Sequence, residues 1–211
     1  MTTLKNNNFY NVLHERKAIK KYDSSYKISK DEMSEIIALA SKAPSSVNMQ
    51  PWRFIVVESE TAKEKLVTLS PFNKEKIESS SAVIAIFADK DYFSFAEEIF
   101  SQSVKLGYMP QEVKETQLNT FKPYQATLSD QQIRETIILD AGLVSMQLML
   151  VARAYGYDTN PMGGYDKENI AEALNLDKER CIPVMLLSIG KAKTQGFNSY
   201  RLPVKTTTDW I

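Results

Sequence analysis

Residues 129–155 read SDQQIRETIILDAGLVSMQLMLVARAY. Apolar side chains recur there at helical spacing, and Ser129-Asp130-Gln131-Gln132 is a capping box that can satisfy two orphan amides at a helix start. The stretch predicts one long helix, Asp130 to Tyr155, about 39 Å at ~1.5 Å per residue. Its middle is apolar on almost every side, so the expectation is a helix running through the centre of the fold. Asp140, Ser145, Gln147 and Arg153 interrupt it, which argues for a buried core helix over a membrane span. Gly156 follows as a helix stop.

Working outward, two runs read as strands covered on both faces: AVIAIFA at 82–88 and IPVMLLSI at 182–189. Trp52 to Glu58 is rich in aromatic and β-branched residues and is a third strand. Helices are expected at 7–17, from Ser29-Lys30-Asp31-Glu32 up to a stop at Pro44, at 61–69, 73–79 and 167–174. Ala18 to Tyr22 reads as a short extended segment and Asn160 to Tyr165 as a Gly-containing loop. Residues 90–128 mix seven aromatics with many charges and no strand-like run, so they read as helical pieces inserted between core elements. The stretch 191–211 has no clear period but ends in Trp210, which should dock on its own core or on a partner subunit. The whole chain, 1–211, reads as one domain.

Composition narrows the chemistry. The 211 residues are 43% apolar and 25% charged, an ordinary globular balance. Lys plus Arg is 26 and Asp plus Glu is 26, so no broadly basic nucleic-acid surface is expected, although a local patch remains open. One cysteine, Cys181, excludes an intrachain disulfide and a multi-cysteine zinc site. One histidine, His14, leaves a His-rich metal site and a His-based triad without residues to build them. No metal site and no membrane partner are expected, and the N-terminal stretch, which lacks an apolar run, predicts a cytoplasmic location. The chemistry is expected to come from a cofactor.

Two clusters could bind one. Arg16-Lys17-Ala18-Ile19-Lys20-Lys21 places four cations in six residues, enough to neutralise a phosphate; the other reading is a solvated run complementing a helix dipole. Pro44-Ser45-Ser46-Val47-Asn48-Met49-Gln50-Pro51 brackets small hydroxyls and two amides between prolines. Such groups can bond a polar heteroaromatic edge, or simply end a helix and enter a strand. Asn73 and Lys76 share a helix face. Gly163-Gly164 permits a close backbone approach or a turn. Arg201 could clamp an anion or form a surface ion pair. There is no G-x-G-x-x-G after a strand and no Walker loop.

Taken in order, RKAIKKYD (16–23), APSSVNMQPWRFIVV (43–57), FNKEKI (72–77), GYDTNPMGGYD (156–166), IPVMLLSIGKA (182–192) and RLP (201–203) resemble the nitroreductase family of FMN-dependent NAD(P)H oxidoreductases. The resemblance implies an α+β, three-layer α/β/α fold with a central, mostly antiparallel sheet, a long core helix and a C-terminal tail swapped between the subunits of a homodimer. FMN would lie at the interface. Arg16, Lys17 and Lys20 match the segment on the phosphate and pyrimidine side. Ala18 stands where the family commonly has Ser, and Ser199 where it often has Lys, which leaves Arg201 as the tail contact to the phosphate. Pro44, Ser45, Ser46, Asn48 and Gln50 match the loop from the other subunit. Asn73 and Lys76 match the pair at the polar ring edge, and Met162, Gly163 and Gly164 the segment by flavin N5. Phe121 and Tyr124, in the insertion at about 90–128, resemble a helical lid over substrate access. The implied reaction is ping-pong hydride transfer from NADH or NADPH to a nitroaromatic, quinone or similar acceptor, with no catalytic side chain beyond the flavin. Dehalogenase or azoline dehydrogenase chemistry on the same fold, or a flavin-binding sensor or storage role, are the alternatives.

Overall fold

The computed structural model describes residues 4–211. Its centre is a four-stranded antiparallel sheet in the order β1 (Trp52–Val57), β2 (Ala82–Asp89), β4 (Cys181–Gly190), β3 (Asp158–Met162). Strand alternation sorts the side chains of β2 into two layers. Ala82, Ile84 and Ile86 face a core shared with α2 (Lys30–Ala40) and α7 (Asp130–Ala154). Val83, Ala85 and Phe87 face the opposite core, under α3 (Glu60–Leu69), α4 (Lys74–Ser79) and the short α8 (Ile170–Ala173). The result is a helix–sheet–helix sandwich. Both central strands are buried along most of their length, as their continuous apolar runs require.

Helix α1 (Phe9–Glu15) is shorter than the sequence suggested. The chain then turns extended, and Ala18 bridges Thr159 in parallel on the outer edge of β3. Helix α2 ends at Ala40, before Pro44 is reached. Only half of its expected capping box forms: the Ser29 hydroxyl accepts from the Glu32 amide, while the Glu32 carboxylate accepts from the Tyr157 hydroxyl at 2.6 Å. At Ser129 both halves of the box are present.

Two segments differ from expectation. Asn160–Met162, expected as loop, belongs to strand β3; Asn160 and Pro161 disguise it. Pro161 is tolerated because β3 is at the sheet edge in the main ladder. The expected helix at 167–174 shrinks to Ile170–Ala173, because the Asp166 carboxylate accepts from the amides of Glu168 and Asn169 and holds that stretch as a turn. Gly156 does end α7, with φ +75°.

The insertion folds as a 3₁₀ turn at Tyr92–Phe95, then α5 (Ala96–Lys105) and α6 (Gln111–Gln125). Tyr92 and Phe100 bury against Ile137 and Ala141 of α7, and the Tyr92 hydroxyl donates to Gln125. The last segment contains only the short α9 (Val204–Thr207), and residues from Phe197 onward are exposed.

Helix α7 does not run through the centre of this chain. One face packs on the sheet; another bares Leu139, Leu143 and Met146 at 65%, 42% and 40% exposure. By length and composition it could cross a membrane, but its Ile137, Ala141, Val144, Leu148, Met149 and Ala152 sit in the cores described above, and Asp140 and Ser145 are buried as well.

Candidate functional site

The candidate residues gather in two clusters, one along the β3 edge and one at the end of the sheet where β1 begins. At the β3 edge, the Ile19 amide donates to the Thr159 carbonyl, and the Asn160 side chain donates to the Ile19 carbonyl at 2.9 Å. These bonds fix Arg16–Lys20 alongside β3. Beyond the end of β3, Gly163 and Gly164 are exposed, and a side chain built at either would meet nothing within 4 Å. Asn73, buried at the start of α4, donates from Nδ2 to the Gly164 carbonyl and to the Ser70 hydroxyl, while its Oδ1 accepts from the Lys76 amine. Thus Asn73 ties α4 to the glycine pair and aims Lys76 into the same region.

This edge is electropositive. Among the described residues, Arg16, Lys17, Lys20 and Lys76 have no carboxylate partner, whereas Lys21 is neutralised by Glu75 at 2.8 Å. Partial burial, then repulsion from Lys20, pull the Lys76 amine below its usual pKa, so an added anion here would be stabilised. The tail leaves from this region. Gly196 crosses so close to Lys17 that a Cβ would stand 2.6 Å from the Lys17 Cβ, and the Lys20 amine lies over the Phe197 ring at 5.2 Å. Ser199 and Arg201 lie beyond, both exposed, with the Arg201 guanidinium donating to the carbonyl of its neighbour Tyr200.

At the end of the sheet where β1 begins, the Pro44–Gln50 loop enters that strand. Val47, Asn48 and Gln50 all have positive φ (44°, 60° and 49°), a strained conformation for residues with a side chain, at about 1–3 kcal/mol each. Several bonds hold it. The Ser45 hydroxyl accepts from the Gln50 amide at 3.0 Å, and the Gln50 side chain donates to the Asn48 carbonyl. Met49 plugs the core beside Ala88, Ile137 and Ile182. Both donors of Ser46, its amide at 3.0 Å and its hydroxyl at 3.2 Å, are directed to Asp140 of α7. Asp140 is buried, which raises its pKa, while the two Ser46 bonds oppose that rise. Exposed Asn48 and half-buried Gln50 border a groove of about 590 Å³ with Arg53, Phe95 and Glu98. Ser46 and Val47 border a second of about 350 Å³ with Tyr92, Phe121 and Tyr124.

The structure therefore brings the N-terminal cations, Asn73, Lys76 and Met162–Gly164 to the β3 edge, and Pro44–Gln50 to the end of the sheet where β1 begins, with Phe121 and Tyr124 bordering the groove beside Ser46 and Val47. Asp140 was not among the sequence candidates; its signal was a lone carboxylate in an apolar helix.

A family model, the nitroreductase family, matches residues 13–191, which include every candidate site residue except Ser199 and Arg201 of the tail. The chain belongs to the nitroreductase family. YdgI of Bacillus subtilis, provisionally named an NAD(P)H nitroreductase, is 57% identical over 98% of this chain and 99% of its own. A nitroreductase-like crystal structure from Exiguobacterium sibiricum, in complex with FMN, is 48% identical, covers both chains completely and superposes with a TM-score of 0.96. The CLA biosynthesis enone reductase of Lactiplantibacillus plantarum is 34% identical over 99% of this chain and 96% of its own. This nitroreductase-family chain thus shares its fold with relatives named for more than one acceptor chemistry.

Proposed function

We propose that this nitroreductase-family protein reduces nitroaromatics, quinones or similar electron-poor acceptors by a ping-pong cycle, as a homodimer in which the β3 edge of one subunit meets the Pro44–Gln50 loop of the other. It is an NAD(P)H-dependent oxidoreductase with FMN as cofactor. The observation that carries this reading is the β3 edge: four cations with no carboxylate partner among the described residues, beside an open glycine pair. These residues fit FMN, which brings a dianionic phosphate and a ring that gains negative charge on reduction.

Arg16, Lys17 and Lys20, with Arg201 of the tail, would hold the phosphate and the pyrimidine side. Asn73 and Lys76 would meet the polar ring edge, where a cation favours the reduced state. Met162–Gly164 would offer backbone to the ring without a side chain in the way. Ala18 and Ser199 would contribute backbone only. Pro44, Ser45, Ser46, Asn48 and Gln50 would come from the second subunit, and Phe121 and Tyr124 would shape acceptor entry as part of a lid formed by the 90–128 insertion of the single 1–211 domain. Bound FMN supplies the hydride chemistry, accepting from NADH or NADPH and delivering to the acceptor. The chain's own groups bind, orient and exclude water; no side-chain acid or base is required by this arrangement.

The dimer reading rests on exposed apolar surface. Leu139, Leu143 and Met146 of α7 and the tail residues Leu202, Val204 and Trp210 are exposed, by 40% to 91%. The exposed tail supports the swapped arrangement, and a cytoplasmic location would supply the reduced nicotinamide. The enone reductase relative favours a second acceptor class, activated carbon–carbon double bonds. Steady-state NAD(P)H oxidation with menadione, nitrofurazone and an α,β-unsaturated ketone, run side by side, tests the reading. Turnover of the first two supports it. Turnover of the enone alone would move the function to double-bond reduction, and no turnover of any would leave a flavin-binding role.

A further inference from the structure

The loop at Pro44–Gln50 poses a physical problem. Three non-glycine residues, one of them β-branched Val47, take positive φ in a stretch of four. Such a conformation persists only where its surroundings over-determine it. Internal bonds close the loop on itself, and Met49 anchors it to the core. At the start of the turn the chain leaves Ser45 in an extended conformation and enters the 3₁₀ turn Ser46–Asn48. There the Ser45 carbonyl accepts from the Asn48 amide at 3.0 Å and the Ser46 carbonyl from the Met49 amide at 3.1 Å, but the Ser46 amide and hydroxyl take their partner from outside the loop.

That partner is a carboxylate from another element. Asp140 is 2% exposed and projects from the middle of α7. Its Oδ2 accepts from the Ser46 amide at 3.0 Å and its Oδ1 from the Ser46 hydroxyl at 3.2 Å, a two-point grip on one residue from 94 positions away. Among the described residues, no cation pairs with Asp140. A carboxylate placed in a helix core without a cation is costly, and its bonds here go to Ser46. The grip also defines what Ser46 does. Its amide and hydroxyl are both directed to Asp140, while Ser45 and Gln50 bond within the loop and Asn48 is exposed.

We propose that Asp140 is a positioning residue for FMN binding: it holds Ser46, and through it the strained Pro44–Gln50 loop, in the conformation that receives the flavin. This rests on the reading that the loop contacts FMN. The test uses full-length protein stripped of FMN and reconstituted. Asp140→Ala should raise the FMN dissociation constant about tenfold and speed hydrogen exchange at the Ser46 amide. The apoprotein melting temperature should shift far less than a loss of core packing would cause. Asp140→Asn keeps the shape and one acceptor oxygen, so it should fold in any case and give an intermediate rise of about threefold. Asn48→Ala, an exposed change in the same loop, separates the two claims. If Asn48→Ala weakens FMN binding while both Asp140 variants leave it and Ser46 exchange unchanged, the positioning role is wrong and the loop's contact with FMN stands. If Asn48→Ala also leaves FMN affinity unchanged, the loop reading falls and the proposal with it.

Discussion

Lys76 shows at the residue scale how this chain prepares a site for an anion. Its amine is half-buried, bonded to Asn73 and repelled by Lys20, so its pKa is lowered. The consequence for binding has a definite sign. FMN gains from the protonated amine, so its affinity should fall as pH rises through the lowered Lys76 pKa, earlier than an ordinary lysine would cause. Lys76→Ala should weaken FMN binding about tenfold, roughly 1.4 kcal/mol, and should remove that part of the pH dependence; fluorescence titration between pH 7 and 10 measures both. Asp89 illustrates the opposite sign. Burial would raise its pKa, but hydrogen bonds from Arg180 and the Asp91 amide, with the charges of Arg53 and Arg180, outweigh burial and lower it. A carboxylate with a depressed folded pKa stabilises the fold above its unfolded pKa and loses that contribution as pH falls through the folded value. Asp89→Asn should therefore lower stability near neutrality and flatten the acid limb of the stability curve below about pH 4, as urea unfolding across pH 3–7 would show.

Among the elements, α7 is the best signposted. Its capping box, apolar period and terminal glycine agree, and the helix runs Asp130–Ala154 as the sequence implied. Ser129→Ala should cost about 1 kcal/mol, measurable by denaturant unfolding, because it removes one acceptor from the helix start. Strands β2 and β4 were equally legible, since both of their faces are buried. Strand β3 was not: Asp158-Thr-Asn-Pro-Met carries no strand-like composition, and its pairing with β4 is a tertiary fact. The site shows the same division. The cations, the loop and the glycine pair were readable as residue types, whereas the bonds from Asn73 to Gly164 and from Ser46 to Asp140 join positions 91 and 94 apart and leave no local trace. The lone carboxylate in an apolar helix was visible; what it held was not.

At the scale of the whole molecule, the neutral charge total conceals a local arrangement. Among the described residues, cations without carboxylate partners gather at the β3 edge, while the strained loop and the aromatic insertion lie toward the end of the sheet where β1 begins. A single chain leaves its tail and one stripe of α7 exposed. On the proposed reading, a second copy would cover that surface and bring the two clusters together. Leu143→Lys, on the bare stripe, should convert a dimer of two 24.0 kDa chains into monomers and should lower FMN content in parallel; analytical ultracentrifugation with absorbance at flavin wavelengths reads both. The most direct test of the central claim is the visible absorbance spectrum of the purified protein, with FMN added if needed, before and after anaerobic NADH or NADPH. The account predicts flavin bands at about one FMN per chain that bleach within the time of a turnover. A protein that takes up no FMN, or whose bound FMN keeps its bands with both nucleotides, would contradict it.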